Sequence, residues 1–188
     1  MKQAFVCFVF CIASTVAHGQ GYILDQHSST GTPSVEGGAN VSLNPSQSFT
    51  PTLTTIDFVR LYVEYTIGRT PTMSINLLAN SPGGQVLAST TPLAVNNSTG
   101  LVEFSFANPV SLTPGSTYVL QPALQSSGDV HLNLFTQNVY AGGTLFYSGT
   151  AYPYDLWFQE GVIIPEPSPT ALLLIGGGVI FLVGKYRK

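Results

Sequence analysis

The chain has 188 residues, 44% of them apolar and only 8% charged, with a formal net charge of −3. That length holds one domain plus targeting segments, not two sizeable cores. High apolar content with so few charges excludes a disordered chain and fits a β-rich extracellular globule. No Lys or Arg occurs between Arg69 and Lys185, so the central part sets only Arg60 and Arg69 against Asp25, Glu36, Asp57, Glu64, Glu103, Asp129, Asp155 and Glu160. A segment this acidic lacks the basic footprint that holds a phosphate backbone, which argues against nucleic acid as a partner.

The amino terminus, Met1-Lys2-Gln3 followed by Ala4 to Val16, has one positive charge and then an apolar core. Ala17-His18-Gly19 supplies small residues at the −3 and −1 positions, so residues 1–19 read as a secretory signal peptide cleaved after Gly19. Both cysteines, Cys7 and Cys11, fall inside it. Phe10 and Val6 precede them where a lipoprotein signal needs a small residue, so they read as small hydrophobes of a removed segment. The mature protein then has no disulfide and depends on core burial.

From Gln20 to Ile163 the pattern is period-two alternation broken by turn residues, which predicts strands. Ile56, Phe58, Arg60 and Tyr62 share one face of the first long run, and Val59, Leu61, Val63 and Tyr65 the other. Further strands are expected around Met73–Leu77, Val102–Phe106, Tyr118–Leu124 and Val130–Leu134, with a last one over Tyr152–Phe158. Asn80 to Gly84, Asn96 to Gly100, Thr113 to Gly115, Ser126 to Asp129 and Gly142-Gly143 carry the residues that turns need. His27 to Pro45 reads as a long loop or irregular strand. Strands spaced this closely, with no amphipathic helix between them, predict an all-β domain over residues 20–163, an antiparallel β-sandwich or jelly roll.

Exposed tyrosine and tryptophan can stack on sugar rings, and Tyr152, Tyr154 and Trp157 are the candidates for such a platform, although strand alternation buries about half of any aromatic-rich stretch. Asp25, Asp129, Asp155 and Glu160 offer hard oxygen ligands for calcium, but they are scattered and form no D-x-D-x-D loop, so they read as solvated surface acids. His27 and His131 have neither H-E-x-x-H spacing nor cysteine partners for zinc. No G-x-S-x-G elbow occurs, no two acids are selected by spacing as a glycosidase pair, and no glycine-rich turn leads into a helix. Asn40-Val41-Ser42 and Asn96-Asn97-Ser98 match the glycosylation triplet, a frequent chance match in so Ser/Thr-rich a chain. No catalytic residue, cofactor or metal site is expected.

After Ile164 the chain reads Pro165-Glu166-Pro167-Ser168-Pro169, then an apolar run, then Lys185-Tyr186-Arg187-Lys188. As a helix, residues 170–184 would span about 22 Å, somewhat short of the roughly 30 Å hydrocarbon core of a bilayer. Tilt, thinning or snorkelling of Lys185, Arg187 and Lys188 makes up the difference, and these cations favour the cytoplasmic side, leaving residues 20–169 outside. The alternating prolines keep the preceding stretch extended and accessible.

This order of Pro165-Glu166-Pro167, a Leu- and Gly-rich helix and a basic end, in a chain that starts with a signal peptide, resembles the PEP-CTERM sorting signal of Gram-negative bacteria. The resemblance covers residues 164–188, with Tyr186 interrupting the basic cluster as a mild departure. It implies recognition of Pro165, Glu166 and Pro167 by a membrane-embedded exosortase, a cysteine-dependent transpeptidase, and association with exopolysaccharide or biofilm matrix. Gln47 to Pro51, Leu112 to Tyr118 and Asp155 to Phe158 also resemble the β-sandwich domains often placed before such tails. The expectation is a non-enzymatic, surface or matrix protein with a bilayer-inserted tail, and the alternative is a displayed carbohydrate-binding module.

Overall fold

The computed structural model describes residues 21–29, 38–67, 70–95 and 100–165. The signal peptide expected over residues 1–19, the apolar run at 170–184, Glu166, Pro167, Lys185, Arg187 and Lys188 lie outside them. Among the described residues no helix is long and apolar enough to cross a membrane. Residues 22–164 form one compact unit.

The strands are β1 (Gly21–His27), β2 (Gly38–Asn40), β3 (Pro45–Phe49), β4 (Thr55–Ile67), β5 (Thr72–Ala79), β6 (Val86–Ser89) and β7 (Leu93–Ala94) in the first half. The second half adds β8 (Gly100–Ser111), β9 (Tyr118–Leu124), β10 (Asp129–Phe135), β11 (Leu145–Tyr147), β12 (Thr150–Tyr152), β13 (Asp155–Leu156) and β14 (Phe158–Ile164). They form two seven-stranded antiparallel sheets packed as a β-sandwich. One runs β1-β14-β4-β10-β13, with β8 also on β4 and β2 on β10; the other runs β12-β11-β3-β9-β5-β6, with β7 on β5.

The five alternating runs expected between Ile56 and Leu134 are β4, β5, β8, β9 and β10. The core between the sheets gathers Phe49, Ile56, Leu61, Met73, Ile75, Leu77, Phe104, Leu120, Leu132 and Phe158, all at most 1% exposed. Each such side chain contributes roughly 1.5–3 kcal/mol through burial, which is how a fold of strands holds without cross-links.

Strand β4 departs from uniform alternation. Its pairing with β8 shifts between Ile56 and Phe58, a bulge that turns Ile56 to the same core as Val59, Leu61 and Val63. Phe58 points to the other face and is still fully buried. There Tyr22 of β1 meets it edge-on at 5.2 Å, and the Arg60 guanidinium lies 4.7 Å from its ring and 4.0 Å from that of Tyr22. Arg60 is held by Glu103 on β8 at 2.8 Å. A bulge thus reverses which face each residue takes without ending the strand.

Two other expectations are corrected. The single strand over Tyr152–Phe158 is three short pieces, β12, β13 and the start of β14, interrupted at Pro153, which has no N–H to donate. The stretch from His27 to Pro45 is not all loop. It holds β2 and a 3-10 turn at Val41–Leu43, and it leads into β3, whose residues Pro45-Ser46-Gln47-Ser48-Phe49 are all buried. Gln47 makes a polar central strand tolerable by bonding across to the other sheet. Its amide donates to Asp155 Oδ1 at 2.9 Å and its carbonyl accepts from Leu156 N at 2.8 Å.

The first and last strands close the domain against each other. Ser28 N donates to the Phe158 carbonyl at 3.1 Å, Phe158 N to Ser28 Oγ at 3.0 Å, and Gln26 N to Glu160 Oε1 at 3.0 Å. The backbones approach so closely that a Cβ on Gly161 would lie 2.0 Å from the Ile23 carbonyl oxygen, which only glycine permits.

Glu160 is fully buried, and its Oε2 receives no N–H or hydroxyl hydrogen bond. Burial, and then the neighbouring Asp25 carboxylate, push its pKa up to about 8. Inside the fold this carboxyl is therefore held mainly in its protonated form at neutral pH. Burial also acts on Asp25, but hydrogen bonds from Leu53, Thr52 and Gln26 outweigh it and hold that carboxyl below its usual value.

A folded pKa raised above the unfolded one means the native state binds the extra proton, so this stability is complete below about pH 4.5 and is lost as pH rises towards 8. The depressed Asp25 works in the opposite direction, contributing stability that disappears as pH falls through its own folded pKa. In urea titrations the wild type should lose roughly 1.4 kcal/mol per pH unit between pH 5 and 8. Glu160→Gln, which mimics the protonated acid, should flatten that slope and exceed wild-type stability above pH 8; an unchanged slope would show that Glu160 does not titrate with a raised pKa in the fold.

Candidate functional site: a tyrosine-lined cleft

The β11–β12 hairpin builds one wall of a cleft that combines aromatic and polar side chains. Its two-residue turn, Ser148-Gly149, has φ values of 47° and 83°, as a tight hairpin between right-twisted strands requires. The register sets Tyr147 opposite Thr150 and Leu145 opposite Tyr152, so all four project to one side. Leu145 enters the core, while Tyr147, Thr150 and Tyr152 reach a cleft of about 770 Å³. Its other walls are Gly38 and Asn40 of β2, Leu43, His131 of β10, Ser148 and Tyr154.

The tyrosines brace one another. Tyr147 meets Tyr152 edge-on at 5.5 Å, and Tyr152 stacks on Tyr154 at 6.1 Å with 25° between their planes. Tyr147 and Tyr154 also pack against the core, whereas Tyr152 is 39% exposed. Burial, and then the neighbouring Tyr152 and Tyr154, push the Tyr147 phenol up to about 12, so it stays a hydrogen-bond donor.

Opposite stand an amide and an imidazole in fixed orientation. Asn40 Oδ1 accepts from Ser42 N at 2.8 Å, which turns its Nδ2 to His131 Nε2 at 3.3 Å. With the amide donating there, Nε2 accepts, and the other ring nitrogen is Nδ1. A Cβ on Gly38 would lie 3.5 Å from that nitrogen and 2.5 Å from Glu64 Oε2, so the missing side chain at this position admits the carboxylate beside the imidazole.

Of the three aromatics expected from sequence, Tyr152 and Tyr154 line this cleft and Trp157 does not. Trp157 is 5% exposed and packs on Tyr62 at 6.0 Å, away from any stacking platform. Asp155 and Glu160, expected as surface acids, are both fully buried. Asp155 accepts from Val139 N and Tyr140 N, each at 2.8 Å, and from Gln47, although burial raises its pKa despite these bonds. Asp129 accepts from Ser42 Oγ at 2.7 Å, and Asp25 caps Thr52 and Leu53. Each acid has a structural task, and among the described residues no three His, Cys, Asp or Glu side chains gather as metal ligands. His27 is exposed, with its Nδ1 3.4 Å from Ser29 Oγ. Of the sorting motif only Pro165 is described, and it is exposed.

Tyr147, His131, Asn40, Ser148 and Thr150 were not singled out as site residues by sequence reasoning. The Ser-Gly pair between Leu145-Phe146-Tyr147 and Thr150-Ala151-Tyr152 was the usable signal, since it predicts a hairpin with both tyrosines on one face. Nothing local in the sequence brings β2 and β10 to the same place.

The site is therefore an aromatic wall facing a fixed polar wall on an all-β sandwich. No protein-family model matches the chain, and comparison with curated proteins finds no match.

Asp155→Asn would aim an amide hydrogen at N–H donors on one side or the other. It should cost about 2–3 kcal/mol in chemical denaturation, a loss of charged hydrogen bonds inside the fold. A variant as stable as wild type would show that these contacts are not what ties Gln47 and Tyr140 to β13.

Proposed function

We propose that the protein is an exported, exosortase-processed component of the cell surface or extracellular matrix of a Gram-negative bacterium, without catalytic activity of its own. The observation that carries this reading is the carboxyl-terminal order of Pro165-Glu166-Pro167, an apolar run at 170–184 and Lys185, Arg187 and Lys188, in a chain that opens with a signal peptide. The helix holds the exported chain in the bilayer, the basic end stops it at the cytoplasmic face, and the extended proline segment is presented to the enzyme outside. The sandwich supports the same reading in one respect: its last strand ends at Ile164, directly before the motif, so cleavage there would leave every strand intact.

A second reading is favoured by the tyrosine cleft: the displayed sandwich is a carbohydrate-binding module. Its volume lies within the roughly 300–1,000 Å³ range of small-ligand sites, and its mix of aromatic wall and oriented polar groups is what sugar rings require.

In cells carrying the processing enzyme, mass spectrometry should find a mature protein that lacks the apolar run and the basic end. Replacing Pro165 and Pro167 together with alanine should leave the tail in place. A wild-type protein intact through Lys188 in such cells would contradict the proposal.

A further inference from the structure

We infer that the tyrosine cleft selects uncharged pyranose chains and rejects glycans bearing carboxylates, with Tyr152 as the stacking face and Glu64 as the source of rejection. The inference rests on the carbohydrate-binding reading and adds to it the ligand class and the residues that set it.

The aromatic side supplies affinity without regard to charge. Tyr152 is the most accessible of the three rings, and its orientation is set by Tyr147 and Tyr154 before any ligand arrives. A pyranose ring presents C–H groups on its faces and hydroxyls at its edge. Stacked on Tyr152, it would bury the apolar face and leave the edge hydroxyls directed at the surrounding polar side chains. Those are Asn40, His131, Ser148 and Thr150, and together they supply both donors and acceptors. A hydroxyl can serve either role, so such a wall suits an alcohol-rich ligand.

Charge then decides which sugar polymers are accepted. The lining contains no Lys or Arg. The carboxylate of Glu64 crowds the space over Gly38 beside His131, which brings a negative charge up to the polar wall. Asp129 adds a second negative charge behind Asn40 through Ser42, which bridges the two. Arg60, from the same strand as Glu64, is committed to Glu103 and to the rings of Tyr22 and Phe58. Two like charges at 4 Å repel by about 1 kcal/mol in water and by more where protein displaces solvent. A uronate on the polar wall would meet that repulsion with no Lys or Arg among the described lining residues to offset it.

The test compares a neutral soluble glucan with the same glucan after its C6 alcohols are oxidised to carboxylates, each titrated into the full chain in detergent at low salt. The neutral polymer should bind, and the oxidised one should bind at least roughly ten-fold more weakly, a difference of about 1.4 kcal/mol. Tyr152→Ala should weaken the neutral polymer by a similar factor, while Tyr152→Phe keeps the ring and should stay within about two-fold of wild type. Glu64→Gln should narrow the gap between the two polymers without weakening the neutral one. Equal binding of both polymers, or a gap unchanged by Glu64→Gln, overturns the selectivity while leaving carbohydrate binding in place. Binding of neither polymer overturns both.

Discussion

Hydrogen bonds between the first and last strands, made around the fully buried Glu160, hold the two ends of this domain together. Glu160 on β14 is fully enclosed, and Asp25 on β1 takes three hydrogen bonds from Thr52 and Leu53 in addition to Gln26. The same corner continues inward. The Tyr140 hydroxyl donates to Gln26 Oε1 at 2.9 Å, its backbone N–H to Asp155, and Asp155 accepts from Gln47 of the opposite sheet. One polar path therefore runs from the edge strand β1 through β14 and β13 to the centre of the second sheet. Buried polar groups are tolerable only when satisfied, and this path satisfies nearly all of its members through partners far apart in the chain. A domain without a cysteine after residue 11 gains from this what others gain from a covalent link: long-range closure of its first and last strands.

The opposite edge of the second sheet is built differently. There the short β11–β12 hairpin extends the sheet with tyrosines, and the cleft forms where it faces β2 and β10. The closing network lies in the interior, whereas the cleft is open, braced by ring-on-ring contacts and lined by polar groups. Stability and ligand chemistry thus fall on different residues. Asp155 and Glu160 are consumed by structure, and Tyr152 remains accessible.

Much of the architecture could be read from the chain because the runs that become β4, β5, β8, β9 and β10 carry period-two patterns bounded by turn residues. The misread parts have specific physical causes. Strand β3 is buried yet polar, since Gln47 bonds to another sheet, a partnership no local pattern discloses. The bulge at Asp57 reverses the facing of Ile56 relative to Val59 with no change in composition. Trp157 looked like a platform because it follows Tyr152 and Tyr154 closely, but the breaks at Pro153 and between β13 and β14 turn it onto Tyr62. Asp155 and Glu160 looked solvated because acids usually are, and only the tertiary network explains their burial. Tyr152 and Tyr154 were legible as candidates; their partners Asn40 and His131 come from distant strands and were not.

Under the proposed function, the sandwich is exported, held for a time by the apolar segment, cleaved near Pro165-Glu166-Pro167 and deposited outside the cell. The central claim concerns where the sandwich ends up. Immunoblotting of the matrix fraction from the native bacterium, with antibodies raised against the sandwich, tests this most directly. The account predicts the protein in that fraction, migrating as a species shorter than the 188-residue chain. Recovery only from the cytoplasm, at full length, would contradict it.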